Sequence, residues 1–270
     1  MAANPAEIAR YINTLGAFCG PRDVAELTPS ALRARFGFAR ADVMALFGGS
    51  VLAGGDVLAQ AMRAGVARTY VIVGGAGHTT ETLRRVVRSE HPELATENLP
   101  EAEIFQAYLR RVYGLGADAL ETESTNCGNN ITYLLRLLEA RGIRHDSVIL
   151  CQDATMQRRM DAGLRKYAPA GTVIVNYAAY RAEIVAEGGA LAYRVPIHGM
   201  WDIDRYVNLL MGEIPRLAPE GYGPEGQGFI ARVDIPEHVS RAFAALQKVY
   251  GAETRAANPL YATGRGHDAP

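Results

Sequence analysis

The sequence predicts an α/β fold: a Rossmann-like parallel sheet covered by helices, with a small helical domain built from the N- and C-terminal segments. Three observations predict it. Short β-branched runs recur at Asp42–Phe47 (DVMALF), Thr69–Val73 (TYVIV), Ser147–Cys151 (SVILC) and Thr172–Asn176 (TVIVN). Amphipathic stretches of about 10–15 residues with helical spacing separate them, the pattern of a parallel sheet buried on both faces. Turns rich in glycine and small polar residues stand where a strand hands over to a helix.

Taken in order, residues 1–39 read as helical. Pro5 opens a helix carrying Ile8, Tyr11, Ile12 and Leu15, and Thr28-Pro29-Ser30 opens another with Leu32 and Phe36. The strand Asp42–Phe47 ends in Gly48-Gly49-Ser50 and precedes a helix over Asp56–Ala64. The strand Thr69–Val73 runs into Gly74-Gly75-Ala76-Gly77-His78, then a helix over Thr79–Glu90 with Thr79 as its N-cap. A helix over Glu101–Tyr113 leads to a short strand near Leu120, and Ile131–Arg141 forms the next helix. After Ser147–Cys151, Gln152-Asp153 is a turn and Ala154–Tyr167 a helix. Beyond the fifth strand the alternation stops. Ile203–Arg216 is helical with Val207, Leu210 and Ile214 on one face, Gly221–Gly228 is a glycine-rich loop, and Pro236–Tyr250 is a last helix. The expected division is a ligand-binding core over 40–200, a helical cap from 1–39 and 201–256, and a loose tail over 257–270.

Composition narrows the function. The chain has 270 residues, 49% hydrophobic and 21% charged, with a net charge of −1. It lacks the basic excess of a nucleic-acid binder. Glu7 and Arg10 interrupt the N-terminal region early, against a signal peptide. The uncharged stretch Val43–Gly55 falls short of the ~18 residues of a membrane span. A cytoplasmic protein is expected, with a homo-oligomer left open. The three cysteines form no C-x-x-C pair and the six histidines no H-x-x-x-H, so no dedicated transition-metal site is expected.

The candidate chemistry gathers at the strand ends. Glycines in Gly48-Gly49-Ser50 and Gly74-Gly75-Ala76-Gly77 let backbone amides approach a ligand, or serve only as tight turns. The second turn resembles G-x-G-x-x-G, but Thr80 replaces the last glycine and no acid ends the next strand, which argues against NAD. His78, at a helix start, is a candidate proton-transfer group or phosphate ligand, or a loop histidine bonded to backbone. Glu101 and Glu121 are candidate acid–base or ribose-binding carboxylates. In Ser124-Thr125-Asn126-Cys127-Gly128-Asn129-Asn130, small polar side chains precede a helix, where ligands bind in open α/β sheets. Asp153 either caps its helix or holds a ligand, beside Gln152. Arg158 and Arg159 near a helix start oppose its dipole, so an anionic ligand, a buried carboxylate or solvent must account for them. Trp201 anchors the cap or walls the cleft. No G-x-S-x-G elbow or Walker lysine motif occurs.

Four blocks in order resemble the YdcF-like family of the YdcF/SanA/ElyC superfamily: STNCGNN (Ser124–Asn130), QDATMQRRM (Gln152–Met160), RYVNLLMGEIPRL (Arg205–Leu217) and GYGPEGQGFIARVDIP (Gly221–Pro236). The resemblance implies a Rossmann-like core of the HUP type with a small helical domain, and S-adenosyl-L-methionine as the bound cofactor. It implies no settled reaction. It matches a family glutamate to Glu101, a glutamate–serine–asparagine signature to Glu121, Ser124, Asn126 and Asn130, and an arginine to Arg158. Two departures stand out: Asn129 where many relatives carry glutamate, and Thr155 where many carry histidine. Some relatives are membrane-anchored envelope proteins; no anchor is expected here, so their envelope role is not carried over.

The expectation is a protein that binds S-adenosyl-L-methionine or a related nucleoside at Gly48, Gly49, Ser50, Gly74, Gly75, Gly77, Ser124, Asn126, Asn130, Gln152, Asp153 and Arg158. Glu101, Glu121 and His78 are the candidate catalytic groups. Methyl or alkyl transfer to a small molecule suits a site without a triad, since positioning supplies most of the rate. The alternatives are a phosphoester or pyrophosphate hydrolase, with Arg158 and Arg159 on the phosphate, and a non-catalytic metabolite-binding protein.

Overall fold

The computed structural model describes residues 4–77 and 79–251. His78 and the tail expected at 257–270 lie outside them. The elements run α1 (Pro5–Cys19), α2 (Pro29–Phe36), β1 (Ala41–Phe47), α3 (Ala53–Ala64), β2 (Ala67–Val73), α4 (Thr80–Glu90), α5 (Glu101–Tyr113), β3 (Ala119–Glu121) and α6 (Cys127–Ala140). They continue as β4 (Ser147–Cys151), α7 (Gln157–Tyr167), β5 (Val173–Asn176), β6 (Ile184–Glu187), β7 (Ala190–Tyr193), α8 (Ile203–Leu217) and α9 (Glu237–Tyr250).

The sheet is parallel throughout, in the order β3-β2-β1-β4-β5. The strands are apolar on both faces because both faces are covered. Val43, Ala45 and Phe47 of β1 pack with Ile131, Leu134 and Leu138 of α6 and Met160 and Leu164 of α7. The alternate residues Met44 and Leu46 face the other layer, with Leu58 of α3 and Ile104, Phe105, Tyr108 and Leu109 of α5. Early crossovers thus lie on one face and later ones on the other, which is the Rossmann-like arrangement. β1 pairs with both β2 and β4, so the chain leaves the C-terminal ends of β1 and β4 toward opposite faces. That divergence creates the crevice in which open α/β sheets bind ligands.

The chain ends join the same core. Ile12 and Leu15 of α1, Tyr206 and Leu210 of α8, and Val239 and Leu246 of α9 are buried together. Asn13 of α1 ties down the edge of β6, its amide donating to Ile184 O (2.8 Å) and accepting from Ile184 N (2.7 Å). The glycine-rich loop folds on itself behind α8: a Cβ at Gly223 would stand 2.7 Å from Pro219 Cα. Among the described residues no helix is long and apolar enough to cross a membrane.

Several element starts differ from the sequence-based expectation. α6 begins at Cys127 rather than Ile131, because Asn126 caps it by accepting from Asn129 N (3.0 Å). α3 begins at Ala53 rather than Asp56, its first N–H donating to His198 O (3.3 Å). α7 begins at Gln157 rather than Ala154, since Asp153 turns its side chain back onto Thr155. Thr79 stands at the start of α4 without capping it; its hydroxyl donates to Glu101 instead. The β6–β7 hairpin was not anticipated.

Candidate functional site

The predicted site residues that the structure describes, Arg158 apart, fall at the C-terminal ends of four adjacent strands and divide into three groups.

The first group surrounds the switch point between β1 and β4. Gly49 and Val51 from the β1–α3 turn, Gly54 of α3, Phe105 of α5, and Gln152 and Asp153 beyond β4 line a small cavity of about 10 Å³, room for about one water-sized group. Gln152 and Asp153 are both buried. Gln152 Oε1 accepts from Asp153 N (2.6 Å), which fixes the amide so that its NH2 is the free group. That Nε2 has no partner among the described residues. Asp153 Oδ1 accepts from Thr155 N (2.8 Å), Thr155 Oγ1 (2.7 Å) and Tyr180 OH (2.9 Å), while Oδ2 has no partner among the described residues. A free donor and a free acceptor therefore stand on neighbouring residues that line one cavity. Leaving such groups unpaired costs about 1–3 kcal/mol each. Burial pushes the Asp153 carboxyl above its ordinary range, with the Thr155 and Tyr180 hydrogen bonds pulling the other way. A Cβ at Gly49 would meet only Gln152 Oε1, at 3.7 Å. Ser50 is buried, and its Oγ accepts from Trp201 Nε1 (2.9 Å). Gln157, which sequence reasoning passed over, braces this corner. Its Oε1 accepts from Gln152 N (2.8 Å), and its Nε2 donates to Leu150 O and Asn176 Oδ1 (both 3.0 Å).

The second group is Glu101 in its glycine cradle. The first two N–H groups of α5 donate to Gly75 O (3.0 Å) and Gly74 O (2.8 Å), setting the helix start above the end of β2. Glu101 is buried, and its Oε1 accepts from Thr79 Oγ1 (2.8 Å) and Thr80 Oγ1 (2.9 Å). Its Oε2 lies over the glycines: a Cβ at Gly48 would collide with it, and one at Gly74 would stand 3.4 Å away. Gly48 and Gly74 thus make room for a carboxylate of the chain itself. Desolvation raises the Glu101 pKa, partly countered by the two threonine hydroxyls. His78 lies outside the described residues.

The third group is the loop after β3. Glu121 Oε1 accepts from Glu123 N (2.7 Å) and Ser124 N (3.0 Å), and Oε2 accepts from Ser124 Oγ. Ser124 Oγ also accepts from Gly75 N (3.2 Å). Both carboxylate oxygens and the serine hydroxyl are thus engaged in building the loop. Gly75 is required by close approach: a Cβ there would stand 2.7 Å from Thr122 O and closer still to Ser124 O. A Cβ at Gly77 would lie 3.3 Å from Thr125 O. Asn126 is occupied as the α6 cap. Asn130, in the first turn of α6, is half-buried, and no partner for its side-chain amide occurs among the described residues.

Both arginines have partners within the chain. Arg158 Nε donates to Phe18 O, and its guanidinium lies 4.3 Å from the Phe18 ring centroid. It serves the C-terminal end of α1, where a cation suits the dipole. Arg159 makes a bidentate pair with the buried Glu213 of α8, Nε to Oε2 at 2.6 Å and Nη2 to Oε1 at 2.9 Å. The buried-carboxylate alternative is the one the structure contains.

Tyr180, Thr155 and Gln157 organise the switch point; Thr155 and Gln157 lie in the QDATMQRRM block, whereas Tyr180 carried no local signal. Among the described residues, no three or more His, Cys, Asp or Glu side chains converge as a metal site would. Fold and site together define a Rossmann-like α/β protein whose strand-end crevice carries an unpaired donor, an unpaired acceptor and a buried carboxylate. No family model matches the chain.

Proposed function

We propose that this chain binds S-adenosyl-L-methionine or a related nucleoside across the C-terminal ends of β1 and β4 and transfers its methyl or alkyl group to a small acceptor. The observation that carries the reading is the pair formed by Gln152 Nε2 and Asp153 Oδ2. A donor beside an acceptor complements a group that offers both, such as ribose hydroxyls or an adenine edge with N7 and N6. The cavity is smaller than a nucleoside, so the ligand lies over the strand ends and reaches in with one polar group. Gly49 leaves room for that approach, and Glu101 Oε2 lies over the neighbouring turn. The four sequence blocks that resemble the YdcF-like family support the same cofactor. S-adenosylmethionine brings a methyl already activated by its sulfonium, so the chain's task is to hold and orient it.

Glu101 supports a second reading. A buried carboxyl with a raised pKa above the β1 and β2 ends suits acid–base chemistry, as in a phosphoester or pyrophosphate hydrolase. Arg158 and Arg159, engaged elsewhere, would not hold its phosphate.

A thermal-shift panel separates the readings. Ligand at 100-fold its dissociation constant adds about 2.7 kcal/mol. Stabilisation by S-adenosylmethionine and S-adenosylhomocysteine, without stabilisation by phosphate esters, is the expected result. Metal-dependent phosphate release, with no response to either nucleoside, would replace the first reading with the second. Binding without turnover across an acceptor screen would reduce the protein to a metabolite-binding one.

A further inference from the structure

The segment 194–202 straps the hairpin to α8 and lies against the β1–α3 turn. Trp201 Nε1 donates to Ser50 Oγ, and His198 O accepts from Ala53 N. Gly199, at φ +73°, comes so close that a Cβ would stand 2.9 Å from Leu52 N. Between these contacts His198 is bracketed by two carboxylates. Its Nδ1 lies 2.8 Å from Asp56 Oδ2 on α3, and its Nε2 lies 2.5 Å from Glu90 Oε2 at the end of α4. A carboxylate only accepts, so both ring nitrogens must carry hydrogen, and only the imidazolium does. In the neutral ring one lone pair would face a carboxylate. From α5, Tyr108 and Tyr113 donate to the other oxygen of Asp56, and the Tyr108 ring centroid lies 6.2 Å from that of His198. One step further out, His91 packs on Tyr108 and Arg63 on Tyr113.

We infer that His198 is a proton-operated latch: as the imidazolium it clamps the strap to α3 and α4 and seats Trp201 on the Ser50 turn that walls the switch-point cavity, and without its proton it releases that turn. Burial alone would lower the ring's pKa, but the hydrogen bonds and charges of Asp56 and Glu90 outweigh it, and the net shift is upward from 6.5. The latch therefore holds fully below the ordinary histidine range and opens as pH rises through the elevated value. Its consequence for binding rests on the ligand reading above; the latch itself does not.

Trp201 is the only tryptophan in the chain, so intrinsic fluorescence reports the strap without any ligand. Wild-type emission is expected to shift to the red on alkaline titration, in one transition centred above the ordinary histidine pKa. His198→Gln should abolish the transition while far-UV circular dichroism stays unchanged. Glu90→Gln, at an exposed helix end, should move its midpoint down. Emission that stays flat with pH in the wild type would overturn the latch, as would the same transition, at the same midpoint, in folded His198→Gln or in Glu90→Gln.

Discussion

Asp153 divides its labour between two oxygens: one holds the turn through Thr155 and Tyr180, and the other has no partner among the described residues. Replacing it with asparagine should place an NH2 beside that of Gln152, so that two donors meet where a donor and an acceptor stood. Asp153→Asn is expected to fold as well as the wild type, because a desolvated charge is removed, and to lose nucleoside affinity; calorimetric titration checks this. Glu101 makes a different test. Its raised pKa adds stability below the ordinary carboxylate range, and that contribution is lost as pH rises through the elevated value. Glu101→Gln keeps the acceptor for Thr79 and Thr80 and removes the buried charge. It should therefore gain melting temperature over the wild type at neutral pH, with the gain shrinking in mild acid. The glycines separate in the same way. Gly49→Ala meets no backbone and should leave the fold unchanged while blocking the ligand's approach, whereas Gly75→Ala drives a Cβ into backbone carbonyls and should destabilise the loop. Thermal melts and binding measurements on the pair distinguish a ligand glycine from a packing glycine.

At the scale of elements, the strands were readable because buried parallel strands are short and apolar throughout, as SVILC and DVMALF are. Helix interiors were readable from their apolar faces. Helix starts were not, since they depend on which polar side chain captures the first N–H groups. Asn126 captures one and starts α6 four residues before its apolar stripe begins, while Asp153 and Thr79 spend their oxygens elsewhere. The β6–β7 hairpin did carry a signal: Gly188-Gly189, at φ +58° and +82°, separates two short runs, as the tight turn of a two-residue hairpin requires. The role of Arg159 depended on Glu213, 54 residues away in sequence. This pair ties α7 to α8. Arg159→Met should destabilise by up to about 3–5 kcal/mol, because it leaves the buried Glu213 with only its longer contact to Arg216 (3.6 Å). Arg159→Met/Glu213→Leu should recover most of that loss in chemical denaturation, since an apolar pair replaces an ionic one.

For the whole molecule, the strand order makes the site. Periodicity announces five strands, but nothing local tells β1 to pair with β4 rather than leave it at an edge. That pairing brings Gly49 opposite Gln152 and opens the crevice between them. Gathering the candidate residues at the strand ends was thus foreseeable from the β-to-α turns. Which of them face the crevice was not, because Ser124 and Glu121 look like ligand groups in sequence and prove to bond each other. α1, α8 and α9 share the buried core, and the strap brings Trp201 onto Ser50. The central claim is that this crevice holds a nucleoside cofactor, and the most direct measurement is a crystal structure determined with S-adenosylhomocysteine. The account predicts density over the ends of β1 and β4, with a polar group of the ligand bonded to both Gln152 Nε2 and Asp153 Oδ2. Density elsewhere, or a saturated crystal with these two atoms still unpaired, would contradict it.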